Sequence, residues 1–203
     1  MRKTIILTAL LVLLTAGAGR ADTVEWKIDP HHTVLCFSIQ HIVGQVEGRF
    51  EKFGGVVRVD PDHLDQSRIS VVIDVNSIYT GVAQRDNHLR TADFFDAAFF
   101  PLMRFEGNRI VHLSGDDYEA HGQLTIKDVT REVVMPFTLL GIKPHPLPDF
   151  LCTDVAGIKA TLKIKRLDYH VGDGKFVKMG MTGDDVDITI FSEMLSNRAG
   201  CKK

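Results

Sequence analysis

Apolar and polar residues alternate with a period of two along most of the chain after residue 22. The most regular apolar face consists of Ile69, Val71, Ile73 and Val75, with mostly polar residues between them. This alternation is typical of β-strands that bury one face. Similar stretches recur at hairpin spacing almost to the end of the chain, about eight to ten in all. The pattern therefore predicts an all-β protein whose antiparallel strands form a barrel or a sandwich.

One segment, Thr80 to Phe105, interrupts the alternation. Residues 83–90 are helix formers without Gly or Pro, and Thr91 is placed to cap a second short turn over residues 92–96 before Pro101 ends the helical region. A sandwich needs no such interruption, whereas a barrel of about eight strands is wide enough to hold one elongated ligand. We therefore predict a hollow antiparallel β-barrel of about eight strands with one or two short helices near one mouth.

The connections between the strands are marked by turn-forming residues. Gly115-Asp116-Asp117 predicts a tight hairpin turn, and residues 143–150, with three prolines, predict a surface loop. The Gly-rich stretch from Gly172 to Gly183 is expected to be a mobile connection. Since no composition break or repeat divides the chain, residues 22–203 are predicted to form a single domain.

The N-terminus has the features of a secretory signal. Arg2 and Lys3 precede an apolar run from Ile5 to Leu14, and small residues follow as far as Ala21. A membrane anchor would need roughly 20 apolar residues, and this run ends sooner. We therefore predict that residues 1–21 are a signal peptide, cleaved near Ala21, and that the mature protein is exported to the periplasm.

Charge and cysteine content narrow the classes of function. Loss of the signal removes Arg2, Lys3 and Arg20 and changes the formal net charge from −2 to −5, which disfavours nucleic-acid binding. Three cysteines, Cys36, Cys152 and Cys201, allow at most one disulfide, so the chain is not a disulfide scaffold. Which of them pair, if any, stays open at this point.

The sequence offers little that resembles catalytic or metal-binding chemistry. Nine histidines are scattered without the spacing of a metal motif. Ser38 lacks a nucleophile elbow, and Cys36 has no assigned histidine partner. Asp93 and Asp96 would suit an acid–base pair, but carboxylates that cap a helix look the same and are commoner. We predict neither catalytic residues nor a metal site.

A charged cluster, Arg85, Asp86 and His88, precedes four phenylalanines that fall within the seven residues 94–100 of the interrupting segment. As a structural device, an Arg–Asp pair would anchor the helix to the barrel rim and His88 would bind a loop carbonyl. As a functional device, Arg85 or His88 would bind a polar head group. His41, at the end of an inward strand face, is a further head-group candidate.

Several motifs in order resemble the YceI-like family. They are IDPHHTV from Ile28, FSIQH from Phe37, GRF from Gly48, SIYT from Ser77, RDNHL from Arg85, DFFD from Asp93, FP at Phe100, GQLTI from Gly122 and VTR from Val129. The resemblance implies a lipocalin-like barrel, commonly periplasmic, that binds a polyisoprenoid chain. One departure is Asp168-Tyr169-His170, where the family usually has Asp-Phe-Gly after an arginine, so the local turn is in question.

The predicted ligand is an isoprenoid lipid held inside the barrel, with no cofactor required. Small inward residues are expected to leave room for it: Ala120, Gly122, Ala156 and Ala160. The predicted cavity lining comprises Phe37, Ile39, Phe50, Ile73, Val75, Phe94, Phe95, Phe99, Phe105, Leu124, Phe137 and Ile158, and the head-group candidates are His41, Arg85 and His88.

The expected function is that of a carrier or sequestering protein for a polyisoprenoid, an isoprenoid quinone or its precursor. The ligand chemistry allows transient membrane contact, and a dimer is compatible with the sequence. One alternative is an enzyme, an isomerase or hydrolase, that acts on a lipophilic substrate in the same cavity, and another is a structural or redox-accessory protein whose barrel is filled. Such an enzyme would require a polar pair with shifted pKa values inside the barrel.

Overall fold

The computed structural model describes residues 23–197. The predicted signal peptide over residues 1–21, its cleavage near Ala21, and Cys201 lie outside the described residues. The strand segments are β1 (Val24–Ile28), β2 (Val34–His41), β3 (Gly44–Phe50), β4 (Phe53–Val59), β5 (Arg68–Asp74), β6 (Ile78–Tyr79), β7 (Leu102–Ser114), β8 (Asp117–Ile126), β9 (Val129–Pro144), β10 (Thr153–Lys165) and β11 (Thr182–Asn197). The α-helices are α1 (Ala83–Arg90) and α2 (Lys175–Lys178).

These segments form a closed antiparallel barrel of eight strands, as predicted. Three of the eight strands are interrupted, so that β1 with β2, β3 with β4, and β5 with β6 each make up one strand. Their halves share a neighbour, because β11 pairs with β1 at Lys27↔Leu195 and then with β2 at Val34↔Phe191. The order around the barrel is β1/β2, β3/β4, β5/β6, β7, β8, β9, β10 and β11, which returns to β1/β2.

Ser77 bridges two of the interruptions. The backbone amides of Glu51 and Lys52 donate to its Oγ at 3.2 and 3.0 Å, and this hydroxyl donates to the carbonyl of Asp74 at 2.6 Å. Ser77 is buried. Because buried backbone amides must be hydrogen-bonded, this one side chain lets two neighbouring strands break at the same level of the barrel.

The two ends of the barrel differ. We call the end that carries α1, α2 and the connecting segment 91–101 the helical end. At the opposite end, a cluster around Trp26, Ala156 and Met194 fills the barrel. The helices thus lie over only one mouth, as the interruption at Thr80 to Phe105 predicted.

The expectation that the small inward residues leave room is wrong. Ala120, Ala156 and Ala160 are almost fully buried in the packed part of the barrel. Gly122 faces the backbone of the next strand so closely that a Cβ there would lie 2.4 Å from the carbonyl oxygen of Glu106. These small side chains allow strands and large side chains to approach one another, and they do not create the cavity.

Two turns contain a residue with a positive φ, Gly115 and His170. Gly115 has a positive φ of 53° in the predicted turn between β7 and β8. His170 adopts the left-handed conformation, with φ 55°, at the end of a 3₁₀ turn over Arg166–Tyr169. This is the position where the family usually has Gly. The turn is therefore kept, with a histidine in a conformation that glycine adopts more easily.

Candidate functional site

A cavity of about 370 Å³ occupies the helical end of the barrel, within the range of small-molecule sites. Its wall is almost entirely apolar and draws on β2, β3 and β5–β11, on α1 and α2, and on the segments between them. The residues on the wall are Leu35, Cys36, Phe37, Ile39, His41, Val46, Phe50, Val71, Ile73, Ile78, Arg85, His88, Leu89, Phe94, Phe95, Met103, Phe105, Leu124, Ile126, Met135, Leu162, Ile164, Arg166, Val171, Phe176, Met181, Thr182, Val186, Ile188 and Ile190.

Helix α1 is fixed to the rim through Thr80. The buried Asp86 accepts hydrogen bonds on Oδ1 from the amide of Thr80 at 2.9 Å and from its hydroxyl at 2.5 Å. Arg85 donates from Nε to the same hydroxyl oxygen at 2.7 Å and from Nη2 to the Thr80 carbonyl at 2.8 Å. Arg85 and Asp86 thus anchor the helix as the structural hypothesis proposed, but they meet through Thr80 and form no ion pair with each other within residues 23–197.

His88 binds a carboxylate instead of the expected loop carbonyl. Its Nε2 lies 2.9 Å from Oδ2 of Asp93. The hydrogen bond from His88 holds the pKa of the Asp93 carboxyl below its usual value, and the charge of Lys175 adds to the effect. The imidazole also packs edge-on against Phe94, with ring centroids 5.1 Å apart. His88 therefore links α1 to the segment that follows it.

Aromatic rings close the cavity beneath these helices. Phe94 stacks on Phe176 with centroids 5.9 Å apart and ring planes 4° from parallel. Phe95 meets Phe50 edge to face at 6.0 Å. Phe176 belongs to α2, inside the Gly-rich stretch predicted to be a mobile connection. That prediction is wrong in this respect, because the stretch forms a helical turn whose phenylalanine packs on Phe94.

Most of the predicted lining residues lie on the cavity wall. These are Phe37, Ile39, Phe50, Ile73, Phe94, Phe95, Phe105 and Leu124, together with the head-group candidates His41, Arg85 and His88. Whether they contact a lipid stays a prediction. For the residues on strands, such as Phe37 and Leu124, inward alternation was a sound guide, since each strand turns every second side chain to the interior.

Two further predicted lining residues point inward at the wrong level of the barrel. Phe137 stacks on Tyr118 at 5.3 Å, and Ile158 packs against the cluster around Trp26, both toward the filled end. Strands of 13 to 16 residues, such as β10 and β9, span both ends. The two-residue period shows whether a side chain points into the barrel but not how far along the barrel axis it lies. Phe137 and Ile158 therefore could not be distinguished from the wall residues by the pattern alone.

Val75 and Phe99, also predicted to line the cavity, do not lie on its wall. Val75 is fully buried in a 3₁₀ turn where β5 has already ended, and its amide donates to the carbonyl of Pro101 at 2.9 Å. Phe99 is 81% exposed. Asp96 takes a positive φ of 50° and turns the chain just before Phe99, so this ring faces outward although Phe94 and Phe95, before the turn, face the cavity.

Arg166 is a wall residue that sequence reasoning did not select. It is 5% exposed and donates three hydrogen bonds: from Nε to the carbonyl of Gly183 at 3.0 Å, from Nη1 to that of Val171 at 2.7 Å, and from Nη2 to Oγ1 of Thr182 at 3.2 Å. The arginine before the altered Asp-Phe-Gly motif was the available signal.

Residues 23–197 contain no group of three or more His, Cys, Asp or Glu side chains arranged to hold a metal ion. In the same range, no helix has the length and apolar character needed to cross a membrane. Cys36, on the cavity wall, is a free thiol. The described part of the site therefore consists of an apolar chamber with a few polar side chains.

Known proteins share this architecture. The chain is similar to the protein YceI of Escherichia coli, with 32% identity over 183 residues, 89% of this chain and 91% of that protein. The crystal structure of Burkholderia cenocepacia BcnA superposes with a TM-score of 0.71 at 26% identity and covers 83% of this chain and 98% of that one.

A more distant structure, described as a polyisoprenoid binding domain from Saccharophagus degradans implicated in plant cell wall breakdown, has a TM-score of 0.63. It is 14% identical and covers 85% of this chain and 98% of that one, so it supports the fold alone. The YceI-like domain profile matches residues 26–194. With this profile spanning most of its length, the chain belongs to the YceI-like family.

Proposed function

We propose that this protein is an exported carrier or sequestering protein that holds a polyisoprenoid, or an isoprenoid quinone or its precursor, in its barrel. The observation that carries the proposal is the apolar chamber of about 370 Å³ at the helical end. The distant relative described as a polyisoprenoid binding domain has the same fold, which is consistent with this ligand class. Export to the periplasm, with a signal peptide cleaved near Ala21, is part of the proposal.

The energetics of such a ligand suit a carrier. Moving one isoprene unit from water into an apolar cavity is worth roughly 3 to 4 kcal/mol, at about 0.8 kcal/mol per methylene-sized group. In a bilayer, however, the tail is already in an apolar medium. Its transfer into the barrel is then close to neutral, and loading depends on shape, on contacts to the head group and on the entropy of fixing the chain. A near-neutral exchange lets the protein both load and release its lipid.

Among residues 23–197, no two ionisable side chains on the cavity wall contact each other, and Asp93, the carboxylate that pairs with His88, is half exposed and lies off the wall. The ionisable wall residues, Cys36, His41, Arg85, His88 and Arg166, form no hydrogen bond or ion pair with one another within the described range. A pair of coupled groups in contact with the substrate is the usual basis of acid–base catalysis. A binding role without catalysis is therefore the function we propose.

The rim of the helical end suits contact with a lipid bilayer, the source of such a ligand. Val43, at the β2–β3 turn, is fully exposed, Ile42 is 54% exposed and Met179 is 67% exposed. The amide of Ile42 donates to the carbonyl of Met181 at 3.1 Å, and Met181 lies on the cavity wall. The exposed apolar rim thus adjoins a residue of the chamber wall, and we expect a lipid to pass between membrane and cavity along this side.

Ile42→Asp tests this route, because aspartate tolerates the left-handed conformation that residue 42 adopts. The substitution is expected to slow transfer of a fluorescent isoprenoid from anionic phospholipid vesicles several-fold. Leu113→Asp is the matched control, since Leu113 is 53% exposed but lies beside the turn at the opposite end. Equal transfer rates for the two variants would contradict loading through the helical end.

The ligand itself is tested by purification of the exported protein from its native host without added lipid. Organic extraction and mass spectrometry are expected to yield an isoprenoid. Repeatedly empty extracts would contradict the proposal. Recovery of a substrate converted to product during incubation with the protein would favour the enzyme alternative instead.

A further inference from the structure

Arg166 is a buried cation at the cavity wall, and no carboxylate in the described part of the chain neutralises its charge at short range. Its three hydrogen bonds go to two carbonyls and one hydroxyl. Within residues 23–197, no ion pair involves this side chain. Asp184 and Asp173 act on it only from a distance, and each lies closer to a lysine, Lys165 for Asp184 and Lys175 for Asp173.

A buried charge is costly unless a partner compensates it. Burial lowers the pKa of the Arg166 guanidinium, although arginine stays protonated in proteins. The face of Phe94, 5.9 Å from Cζ, supplies weak compensation. A guanidinium has five N–H groups, and three of those of Arg166 are engaged. Nη1 and Nη2 each carry one further N–H, and the positive charge has no ion-pair partner among residues 23–197.

The chain makes room for this guanidinium at Gly172. A Cβ at that position would lie 2.3 Å from Nη1 of Arg166, and the residue has a φ of +93°. Gly174, two residues on, has a similar φ of +79°, but its added Cβ would meet only a Leu167 methyl group at 3.3 Å. Gly172 thus does more than allow a turn, because its missing side chain is what admits the arginine.

We propose that Arg166 binds a terminal oxyanion, a phosphate or a carboxylate, at the head of the lipid in the cavity. The inference rests on the proposed function and assigns its head-group site. Guanidinium groups bind two oxygens of one phosphate or carboxylate through parallel N–H donors. The tail then extends along the apolar wall, and the stacked rings of Phe94 and Phe176 cover the end that carries the charge.

The test compares three ligands with one tail: geranylgeranyl phosphate, geranylgeranoic acid and geranylgeraniol. Their affinities for the delipidated full-length mature protein are measured by displacement of a neutral naphthylamine dye. Hydrogen bonds to a charged group predict that at least one anion binds about tenfold or more tightly than the alcohol. The two anions identify whether phosphate or carboxylate is preferred.

Substitutions separate head-group binding from a purely structural role. Arg166→Gln is expected to remove the preference for the anion while affinity for the alcohol is retained. Lys175→Gln, which removes an exposed cation from the same end, is expected to keep the preference. Gly172→Ala should reduce it by displacing the guanidinium, whereas Gly174→Ala imposes comparable backbone strain and should not.

The outcomes test head-group binding by Arg166 separately from the proposed lipid-binding function. If wild-type protein binds all three ligands equally, the inference is overturned and the lipid-binding function stands. If it binds none of them, the proposed function fails as well. A lowered melting temperature with an unchanged preference in Arg166→Gln would make the arginine a structural clamp. Should Arg166→Gln not fold, the wild-type preference and the two glycine variants decide the question.

Discussion

The hydrogen bonds between Asp86 and Thr80, which anchor α1, predict how much stability is lost when Asp86 is replaced. Asp86 is 4% exposed, and its Oδ1 accepts both the amide and the hydroxyl of Thr80. Hydrogen bonds to charged groups are each worth about 1.5–3 kcal/mol. Asp86→Ala removes both and leaves the Thr80 amide without its acceptor. Allowing for partial access of water to Thr80, we expect a loss of about 3 kcal/mol in the free energy of unfolding.

Urea unfolding measures this loss, and Trp26 is a suitable reporter. It is the only tryptophan and lies in the filled end, far from the substitution. A loss of ~3 kcal/mol would lower the melting temperature by about 6–12 °C in a domain of this size. Asp86→Asn keeps an oxygen acceptor and should lose about half as much.

The control is Gln84→Ala on the exposed face of the same helix, which should change stability by no more than about 0.5 kcal/mol. A loss below ~1 kcal/mol for Asp86→Ala would refute the view that this carboxylate anchors α1. So would a folded Asp86→Ala protein that loses its lipid but none of its stability, because the residue would then act on the ligand.

Three further predictions concern the same end and the β1–β2 turn. Replacing Phe94 and Phe95 by leucine keeps apolar side chains but removes the ring contacts, so the lipid recovered in extracts should fall markedly while the melting temperature changes little; a loss of stability with unchanged lipid content would make these rings ordinary core. His170→Gly should be more stable than His170→Ala by about 1 kcal/mol in urea unfolding, because only glycine relieves the left-handed conformation; equal stabilities would argue against strain there. The pKa of His32 should lie above its ordinary value in an NMR titration, because its imidazole hydrogen-bonds to Asp29, and Asp29→Asn should return it to that value. The stabilisation by this raised pKa is present at low pH and is lost as the pH rises through it, and an unshifted His32 would contradict the contact.

The sequence predicted the barrel because alternation is set by local chemistry. Each strand presents apolar residues to one side, and the segment around α1 was visible as the place where this period fails. That the eleven strand segments combine into eight barrel strands could not be predicted from the alternation. This combination depends on Ser77, which satisfies backbone amides across a break that no periodicity reveals.

The site was predicted in part for a similar physical reason. Residues such as Phe37 and Leu124 could be placed on the inner surface, but Ile158 shows that an inward residue can lie at the filled end. Phe176 and Arg166 were not predicted because both lie between β10 and β11, outside the alternating pattern. Their position comes from packing between distant segments, such as the stacking of Phe176 on Phe94.

The most direct measurement is the amount of lipid bound per molecule of exported protein, with one variant that fills the chamber. Met135 lies on the cavity wall, and the adjacent Val134 points outward and is 45% exposed. Extracts of wild-type protein and of Val134→Trp should contain close to one isoprenoid per chain, and those of a folded Met135→Trp should contain far less. Equal lipid content in the two tryptophan variants would contradict binding inside the barrel.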